Sequence, residues 1–264
     1  VSMCPIHESE GIITPNGLFF TRDHVGTAHV DPNEFRLMIH GKVKKEIVLT
    51  LEDLKKYPSE TRTYFIECPA NGSPEWRAPQ FNNLQFMKGL MSAAQWTGVM
   101  LKTILEDLGL EKDAVWMLAE GSDNASNPRS IPVDKAMDDI MVVWGQNGEA
   151  LRPEQGYPVR LVVPGWEGNL NTKWLKRLEF SDKPWHSKEE TSKYTMLQKS
   201  GKAIRYFWVN EVNSVITSPC PEKPWTHLKK GEMVEIEGLA WSGHGTIKGV
   251  DISFDGGDNW VEAK

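Results

Sequence analysis

The chain is poor in cysteine and in long apolar runs, and it has no net positive charge. Each of these absences excludes some classes of function. Three cysteines in 264 residues are too few for a disulfide framework, and no Cys-x-x-Cys-His segment could attach haem covalently. No apolar run approaches bilayer-spanning length. A formal net charge of −6 argues against a nucleic-acid or anionic-membrane surface. The first residues lack the basic start and apolar stretch of a signal peptide, so none is expected there.

What remains is the composition of a globular protein, with 39% hydrophobic and 25% charged residues. This length allows one large domain or two ordinary ones. The 11 tryptophans are many, and a buried indole needs a partner for its N–H. Several are therefore expected to line a pocket or a domain seam, although each of them could equally be a bulky core residue.

The stretch around Cys68 organises the chain. Thr61 to Glu67 alternates and is rich in β-branched and aromatic residues, which predicts a strand. A loop of Pro69, Asn71 and Gly72 follows directly. A thiol at the end of a rigid strand, facing a loop, is typical of a functional site. The alternative is that Cys68 is a small buried hydrophobe.

The remaining patterns predict a mixed α and β chain. Predicted strands cover 36–43, 115–119, 141–145, 149–151, 158–165 and 172–181, and predicted helices cover 50–57, 99–108 and part of 131–138. Asn147-Gly148 predicts a hairpin turn. The weakly patterned segment 76–95 suggests a lid or binding loop.

Arg160 is a charge set into the apolar strand 158–165. A buried arginine needs an anionic partner, or it costs several kcal/mol. From Tyr206 onward the pattern changes to short alternating strands, over 206–211, 214–217, 233–241, 247–254 and around Trp260. A sandwich of the immunoglobulin type needs about seven strands, so this second domain is expected to be truncated.

Five stretches, in order, resemble the sulfite oxidase-type molybdopterin oxidoreductases, and the resemblance runs from Ile12 to Lys264. They are Phe20-Thr21-Arg22-Asp23-His24 (the family has Asn for Asp23), Tyr64-Phe65-Ile66-Glu67-Cys68 with Asn71-Gly72, Glu120-Gly121-Ser122-Asp123, the block 156–165 with Lys173-Trp174-Leu175, and 238–243 with Asp255-Gly256-Gly257.

Other details resemble one branch of that family, the molybdenum subunit of sulfane dehydrogenase in the bacterial thiosulfate-oxidising Sox system. They are Cys4-Pro5-Ile6-His7 and the stretches 11–16, 36–41, 164–169 and 189–194. The resemblance implies an α+β fold, with a mixed α/β molybdopterin-binding domain over 1–205 and the start of an immunoglobulin-like dimerisation domain over 206–264. It also implies a periplasmic location, no haem on this chain, a c-type cytochrome subunit as electron acceptor, an oligomer through the C-terminal domain, and a sulfur-carrier protein as a candidate substrate.

The resemblance further implies roles for individual residues. Cys68 would ligate molybdenum, since a soft thiolate suits that metal, and Arg22 would lower the pKa of its thiol. Arg160 and Lys173 would bind the pterin phosphate. The other predicted contacts to the molybdenum-molybdopterin cofactor are Phe20, Thr21, Arg22, Asp23, His24, Asp123, Gln155 and the backbone of Asn171, Thr172 and Lys173. Tyr194 and Trp96 would belong to the catalytic pocket, Tyr194 through its phenol and Trp96 as a wall.

Simpler alternatives stand beside three of these roles. Arg22 could pair with Asp23, Asp123 could be a turn former, and Trp96 could be an ordinary core residue.

Two positions depart from the family's sulfite oxidases. Ser73 stands where they have an arginine five residues after the ligand cysteine, and Gln155 stands where they have a histidine. Fewer cations make the pocket less suited to sulfite dianion and better suited to a neutral or carrier-tethered sulfur, unless Arg77 folds back and supplies the charge. The hypothesis is molybdenum-dependent oxidation of a reduced sulfur compound. The alternatives are oxidation of free sulfite, an oxo-anion such as nitrate as substrate, or a non-catalytic tryptophan-rich binding module.

Overall fold

The computed structural model describes residues 1–76, 83–123 and 128–263. The α-helices in this part of the chain are short: α1 (Leu51–Leu54), α2 (Leu84–Met87), α3 (Leu101–Leu108) and α4 (Val133–Ala136). The strands are β1 (Leu37–Gly41), β2 (Ile47–Leu49), β3 (Ser59–Glu67), β4 (Met91–Met100), β5 (Trp116–Gly121), β6 (Arg129–Pro132), β7 (Met141–Gln146), β8 (Glu149–Ala150), β9 (Arg160–Val162), β10 (Leu175–Ser181), β11 (Thr195–Leu197), β12 (Ala203–Arg205), β13 (Asn213–Ser218), β14 (Glu237–Trp241), β15 (Asp251–Ile252) and β16 (Val261–Glu262). No helix of these ranges is long and apolar enough to cross a membrane.

Two five-stranded sheets build the first two thirds of the chain. One has the order β2-β1-β10-β5-β6, in which β1 and β10 run parallel and the other pairs are antiparallel. The other has the order β3-β4-β7-β8, with β9 also paired to β7. The last residues of β3 and β5 and the first residues of β9 lie near one another, which places loops from both sheets around a common cavity.

The apolar residues pack into two clusters. One joins β1, β10 and the buried side of α3 through residues such as Ile39, Leu178 and Ile104. The second lies beneath β3 and β4 and includes Ile66 and Trp96. Ile66 and Glu67, the last two residues of β3, are buried, so Cys68 follows a strand end that is packed into the core.

Several local predictions are confirmed. Thr50 caps α1 in a capping box with Asp53, where each side chain accepts from the other residue's backbone N–H. Asn147 and Gly148, at φ 51° and 79°, form the turn between β7 and β8, and both positive φ values are those of the predicted hairpin type.

Other local predictions need correction. The segment 76–95 is not one loop, because α2 and the first half of β4 lie in it; residues 77–82, with Arg77, lie outside the described part. The helix predicted from Val99 begins at Leu101, since Val99 still pairs with β3 and β7. The strand predicted over 206–211 is a single bridge between Val209 and Trp166. The C-terminal strands form separate two-stranded pairs, β13 with β14 and β15 with β16.

Candidate functional site

A cavity of about 910 Å³ opens where the loops of the two sheets meet. It is lined by residues from both sheets and from the N-terminal segment. Most of the predicted site residues line it: Phe20, Arg22, Asp23, His24, Cys68, Asp123, Gln155, Arg160, Asn171, Thr172, Lys173 and Tyr194. Trp174, one of the tryptophans expected at a pocket, lines it too.

Cys68 is held at the cavity wall by its backbone. Its N–H donates to the carbonyl of Leu90 at 3.0 Å, and its carbonyl accepts from the N–H of Asn71 at 2.8 Å. Burial raises the pKa of the Cys68 thiol, and the Arg22 charge only partly opposes this. The predicted effect of Arg22, a lowering of this pKa, is present, but burial has the larger effect. Ligation by a metal would have to supply the driving force for deprotonation.

Glu67, the residue before Cys68, ties the C-terminal segment to the site. Its buried carboxylate accepts from the indole N–H of Trp241 at 2.8 Å, from Asn71 at 2.8 Å and from Asn213 at 3.3 Å. Hydrogen bonds to a buried carboxylate are among the stronger ones in proteins. Strands β13 and β14 therefore help to fix the end of β3, and Trp241 is a tryptophan at a seam, as predicted for some of them.

Arg160 is the most completely buried cation of the cavity wall. Its guanidinium donates to the carbonyl of Gln155 at 3.0 Å, to the Gln155 side-chain oxygen at 3.3 Å and to the carbonyl of Asn171 at 3.2 Å. All of these acceptors are uncharged, and the Nε atom has no hydrogen bond among the described residues. Burial lowers the pKa of Arg160 to about 9. An anion in the cavity would satisfy this charge.

Lys173 and Asp23 form an ion pair across the same wall. The ammonium also donates to the carbonyl of Glu154 at 2.9 Å. Burial lowers the pKa of Lys173, and Asp23 opposes that shift. Arg22 donates to the backbone carbonyl of Asp23 at 2.8 Å and not to its carboxylate. The Asp23 carboxylate forms its ion pair with Lys173. The carboxylate that replaces the family's asparagine thus serves as the counterion of Lys173.

His24 and Asp123 form a polar rim of the cavity. Desolvation and the neighbouring Arg22 lower the pKa of His24, while Asp123 acts in the opposite direction. Burial raises the pKa of Asp123, and Lys173 and His24 partly oppose it. A neutral imidazole next to a carboxyl group can both donate and accept hydrogen bonds, which suits the edge of a heterocycle.

Gln155 joins two parts of the site. Its amide donates to the carbonyl of Phe20 at 3.0 Å and to Thr21 Oγ1 at 3.3 Å, while its oxygen accepts from Arg160. Thr21 is not among the lining residues, and its backbone pairs with Ser2 instead. Gln155 therefore fixes Arg160 and the N-terminal segment relative to each other.

The structure corrects two of the predicted contacts. Trp96 is fully buried and does not line the cavity; its N–H donates to the carbonyl of Tyr64 at 3.1 Å, and its ring lies 5.1 Å from the Arg160 guanidinium. The pairing of β4 with its neighbours points this side chain into the core. The Trp96 ring therefore packs against the side of the Arg160 guanidinium that is turned away from the cavity. The backbone N–H groups of Asn171 and Thr172 close a local turn, donating to Gly168 and Leu170, and are not free for a ligand.

Sequence reasoning missed a group of residues on one side of the cavity. Glu167, Asn169 and Phe207 line it, and Arg129 lies behind the first two. Burial raises the pKa of Glu167. The stretch Trp166-Glu167-Gly168-Asn169 stood out in the sequence, but nothing in its pattern shows that a carboxyl group would turn inward.

The donor set of this cavity fits a molybdenum-pterin group. A single thiol lines the same cavity as Arg22, Arg160 and Lys173. No carboxylate in the described part of the chain forms an ion pair with Arg160. In the described ranges no cluster of three or more His, Cys, Asp or Glu could hold a metal alone. A metal that accepts a thiolate ligand and brings its other ligands on an anionic organic scaffold matches one thiol and three cations.

Comparison with known proteins agrees with this geometry. The family model described as oxidoreductase molybdopterin binding domain matches residues 24–189, and the one described as Mo-co oxidoreductase dimerisation domain matches residues 205–264. Mitochondrial sulfite oxidase of Rattus norvegicus is 32% identical over 97% of this chain and 50% of its own length. NADH nitrate reductase of Ulva prolifera is 26% identical over 95% of this chain and 32% of its own length.

Among solved structures, the sulfane dehydrogenase SoxCD from Paracoccus pantotrophus matches with a TM-score of 0.93 and 48% identity, covering 99% of this chain and 67% of that chain. The chain spans about half the length of the sulfite oxidases that it matches. These matches confirm the predicted α+β fold class, with a molybdopterin-binding part followed by a dimerisation part.

Proposed function

Because the chain belongs to the sulfite oxidase-type family of molybdopterin oxidoreductases, we propose that it oxidises a reduced sulfur compound with a molybdenum-molybdopterin cofactor. One observation carries this proposal: the Cys68 thiol shares a single cavity with Arg22, Arg160 and Lys173. When bound, the cofactor supplies two-electron oxidation of a sulfur atom. The chain supplies binding, orientation and the electrostatic field.

Each side chain has a proposed task in the cavity. Cys68 would hold the metal through its sulfur. Arg160 would clamp the cofactor phosphate, since no carboxylate of the described residues contacts its buried charge, and Lys173 would assist as a point charge. His24 and Asp123 would hydrogen-bond the ring edge of the pterin. Tyr194 would orient the substrate or a water molecule by its phenol.

We propose further that the preferred substrate is a sulfane sulfur presented by a carrier protein rather than free sulfite. Ser73 is absent from the cavity lining, while Glu167 is part of it. A wall with the Glu167 carboxyl group, in a chain that has serine at the position of the sulfite oxidase arginine, is less favourable for a dianion than for a neutral or tethered sulfur. The solved relative with 48% identity is itself a sulfane dehydrogenase.

Steady-state assays test this preference. The purified holoenzyme is given free sulfite, or a protein whose cysteine carries a sulfane sulfur, with cytochrome c as the electron acceptor. We expect the larger kcat/KM for the sulfane-loaded protein. A larger kcat/KM for sulfite would contradict the substrate proposal and leave a sulfite dehydrogenase. Turnover with nitrate and an electron donor would instead support the oxo-anion alternative.

Further parts of the proposal concern the surroundings of the enzyme. We propose that electrons pass to a c-type cytochrome subunit, that the protein acts in the periplasm, and that residues 206–264 belong to an oligomerisation domain separate from residues 1–205. The match to a dimerisation domain over 205–264 supports the last of these. Membership of an oxidoreductase family speaks against the non-catalytic binding module.

A further inference from the structure

A buried ion cluster lies behind one side of the cavity. Arg129 is 2% exposed, with its guanidinium 3.8 Å from the carboxylate of Glu167 (Nη1 to Oε2) and 3.7 Å from that of Glu190 (Nε to Oε1). Nη1 also donates to Asn169 Oδ1 at 2.5 Å. Both glutamates are buried as well. One cation is thus shared by two carboxylates that have little access to water, and neither would tolerate its removal easily.

The same guanidinium contacts Tyr194. Its central carbon lies 4.2 Å from the centre of the Tyr194 ring, well within the range of a cation–π contact. Tyr194, Glu167 and Asn169 all line the cavity, whereas Arg129 does not. Arg129 therefore touches these three lining side chains from behind and has no surface of its own toward a substrate.

Arg129 also lies where three segments of the chain meet. It is the first residue of β6, Asn169 belongs to the 3-10 helix Gly168–Leu170, and Tyr194 follows the loop that carries Glu190. Glu190 is bound to the next residue of β6, since its carboxylate accepts from the N–H and, at 3.0 Å, from the hydroxyl of Ser130. Arg129 and Glu190 together fasten the loop of Tyr194 to the sheet.

The contacts of Arg129 require the shape of arginine as well as its charge. One face of the guanidinium contacts the Tyr194 ring, while its edge faces Asn169 and the two carboxylates. Nε and Nη2 make no hydrogen bond within the described ranges. The charge of Arg129 and its contact with the Tyr194 ring therefore supply most of its interaction with these neighbours. A lysine ammonium could neutralise a carboxylate. As a compact point charge, however, it cannot contact the Tyr194 ring, the Asn169 amide and the two carboxylates at the same time.

We propose that Arg129 is a positioning residue that fixes the substrate wall formed by Tyr194, Glu167 and Asn169. It acts through these side chains and does not touch the substrate. This inference rests on the proposed function, because the wall matters for turnover only if the cavity is the active site. Its structural part, the fastening of the Tyr194 loop, can be measured without cofactor and without activity.

The first experiment is limited trypsin digestion of the cofactor-free protein, following cleavage after Lys188 and Lys193 in the Tyr194 loop. Arg129→Gln should raise the cleavage rate about tenfold or more, because an opening of the loop then costs less. Arg62→Gln, at an arginine on β3 whose side chain is 40% exposed and paired with Glu60, is the control and should leave the rate unchanged. Equal rates in Arg129→Gln and wild type would overturn the inference.

Global unfolding is measured in parallel by urea titration, so that faster cleavage through the unfolded state is recognised. If Arg129→Gln does not fold, Arg129→Lys replaces it, since it keeps the positive charge. Cleavage that rises only in proportion to the globally unfolded fraction would also overturn the inference. Cleavage in the Tyr194 loop that rises beyond the increase in the globally unfolded fraction would support it.

The second experiment is a double-mutant cycle on the holoenzyme. Arg129→Lys should lower kcat about tenfold to a hundredfold, as displacements of this kind do. The same change in a Tyr194→Phe background should cost far less, because no phenol oxygen remains to be positioned. Additive losses would refute the action through Tyr194. A wild type with no turnover on any sulfur compound would refute the proposed function, and the trypsin experiment would still decide the role of Arg129.

Discussion

Replacing Arg160 by methionine tests whether this cation serves to bind the cofactor or to stabilise the fold. In the fold, burial lowers the pKa of this guanidinium from 12.5 to about 9. At about 1.4 kcal/mol per tenfold change in proton affinity, holding the charge at this buried position costs the cofactor-free protein about 5 kcal/mol. Methionine fills a similar volume without that cost. The variant leaves the carbonyls of Gln155 and Asn171 without their donor, which costs about 1–3 kcal/mol each.

These opposing terms nearly cancel in the cofactor-free protein. We therefore expect Arg160→Met to change the free energy of unfolding by less than about 2 kcal/mol, whereas breaking an ordinary buried ion pair costs about 3–5 kcal/mol. The holoenzyme should behave differently, because the bound anion is what stabilises the charge. Retention of the cofactor through purification should be lost.

Two measurements check this pair of outcomes. Urea titration gives the unfolding free energy of both cofactor-free proteins, and released pterin fluorescence gives the cofactor content of both holo preparations. Arg62→Met is the control for losing a surface arginine and should alter neither quantity. A loss of more than about 3 kcal/mol in the cofactor-free variant, with cofactor still bound, would refute the reasoning and give Arg160 a purely structural role.

Two further predictions concern the carboxylates of the same cavity. Asp23→Asn leaves the buried ammonium of Lys173 without its counterion and should lower the unfolding free energy of the cofactor-free protein by about 3 kcal/mol; inorganic phosphate should restore part of this loss, and a urea titration with and without phosphate that shows neither effect would contradict the pairing. Burial raises the pKa of Asp123 above its usual 3.8, so the fold favours the protonated carboxyl and loses stability as pH rises through the raised pKa. Asp123→Asn, which is always neutral, should therefore be more stable than wild type at pH 7 and should lose this advantage near pH 4, and an advantage that is the same at both pH values would count against the burial argument.

The position of Cys68 could be predicted because its signals are local. Alternation predicts β3, and Pro69 with Gly72 predicts the loop, so the thiol falls at a strand end without any knowledge of tertiary packing. Arg160 could be predicted for a similar reason, since a charge inside an apolar strand needs a partner wherever the strand lies. These local signals left open the alternative that Cys68 is a small buried hydrophobe, and the resemblance to the molybdopterin oxidoreductases was needed to indicate a site for an anion-bearing group next to the thiol.

The errors came from features that packing decides. Trp96 has the right place in the chain for a pocket residue, but the pairing of β4 with β3 and β7 turns its side chain into the core. Arg129 gave no local signal, because Glu167, Glu190 and Tyr194 come together with it only when the two loops fold over β6. The net rise of the Cys68 pKa has no signal in the sequence, because burial, which no sequence pattern measures, outweighs the charge of Arg22.

The most direct test of the account is the molybdenum content of the purified protein, measured by elemental analysis next to pterin fluorescence. The account predicts about one molybdenum and one pterin per chain in wild type. In Cys68→Ser it predicts a folded protein that has lost its turnover and most of its metal, while Cys220→Ser, a change at a cysteine outside the cavity, retains both. A folded wild type that takes up no molybdenum, or a Cys68→Ser variant that keeps full metal and full activity, would contradict the central claim.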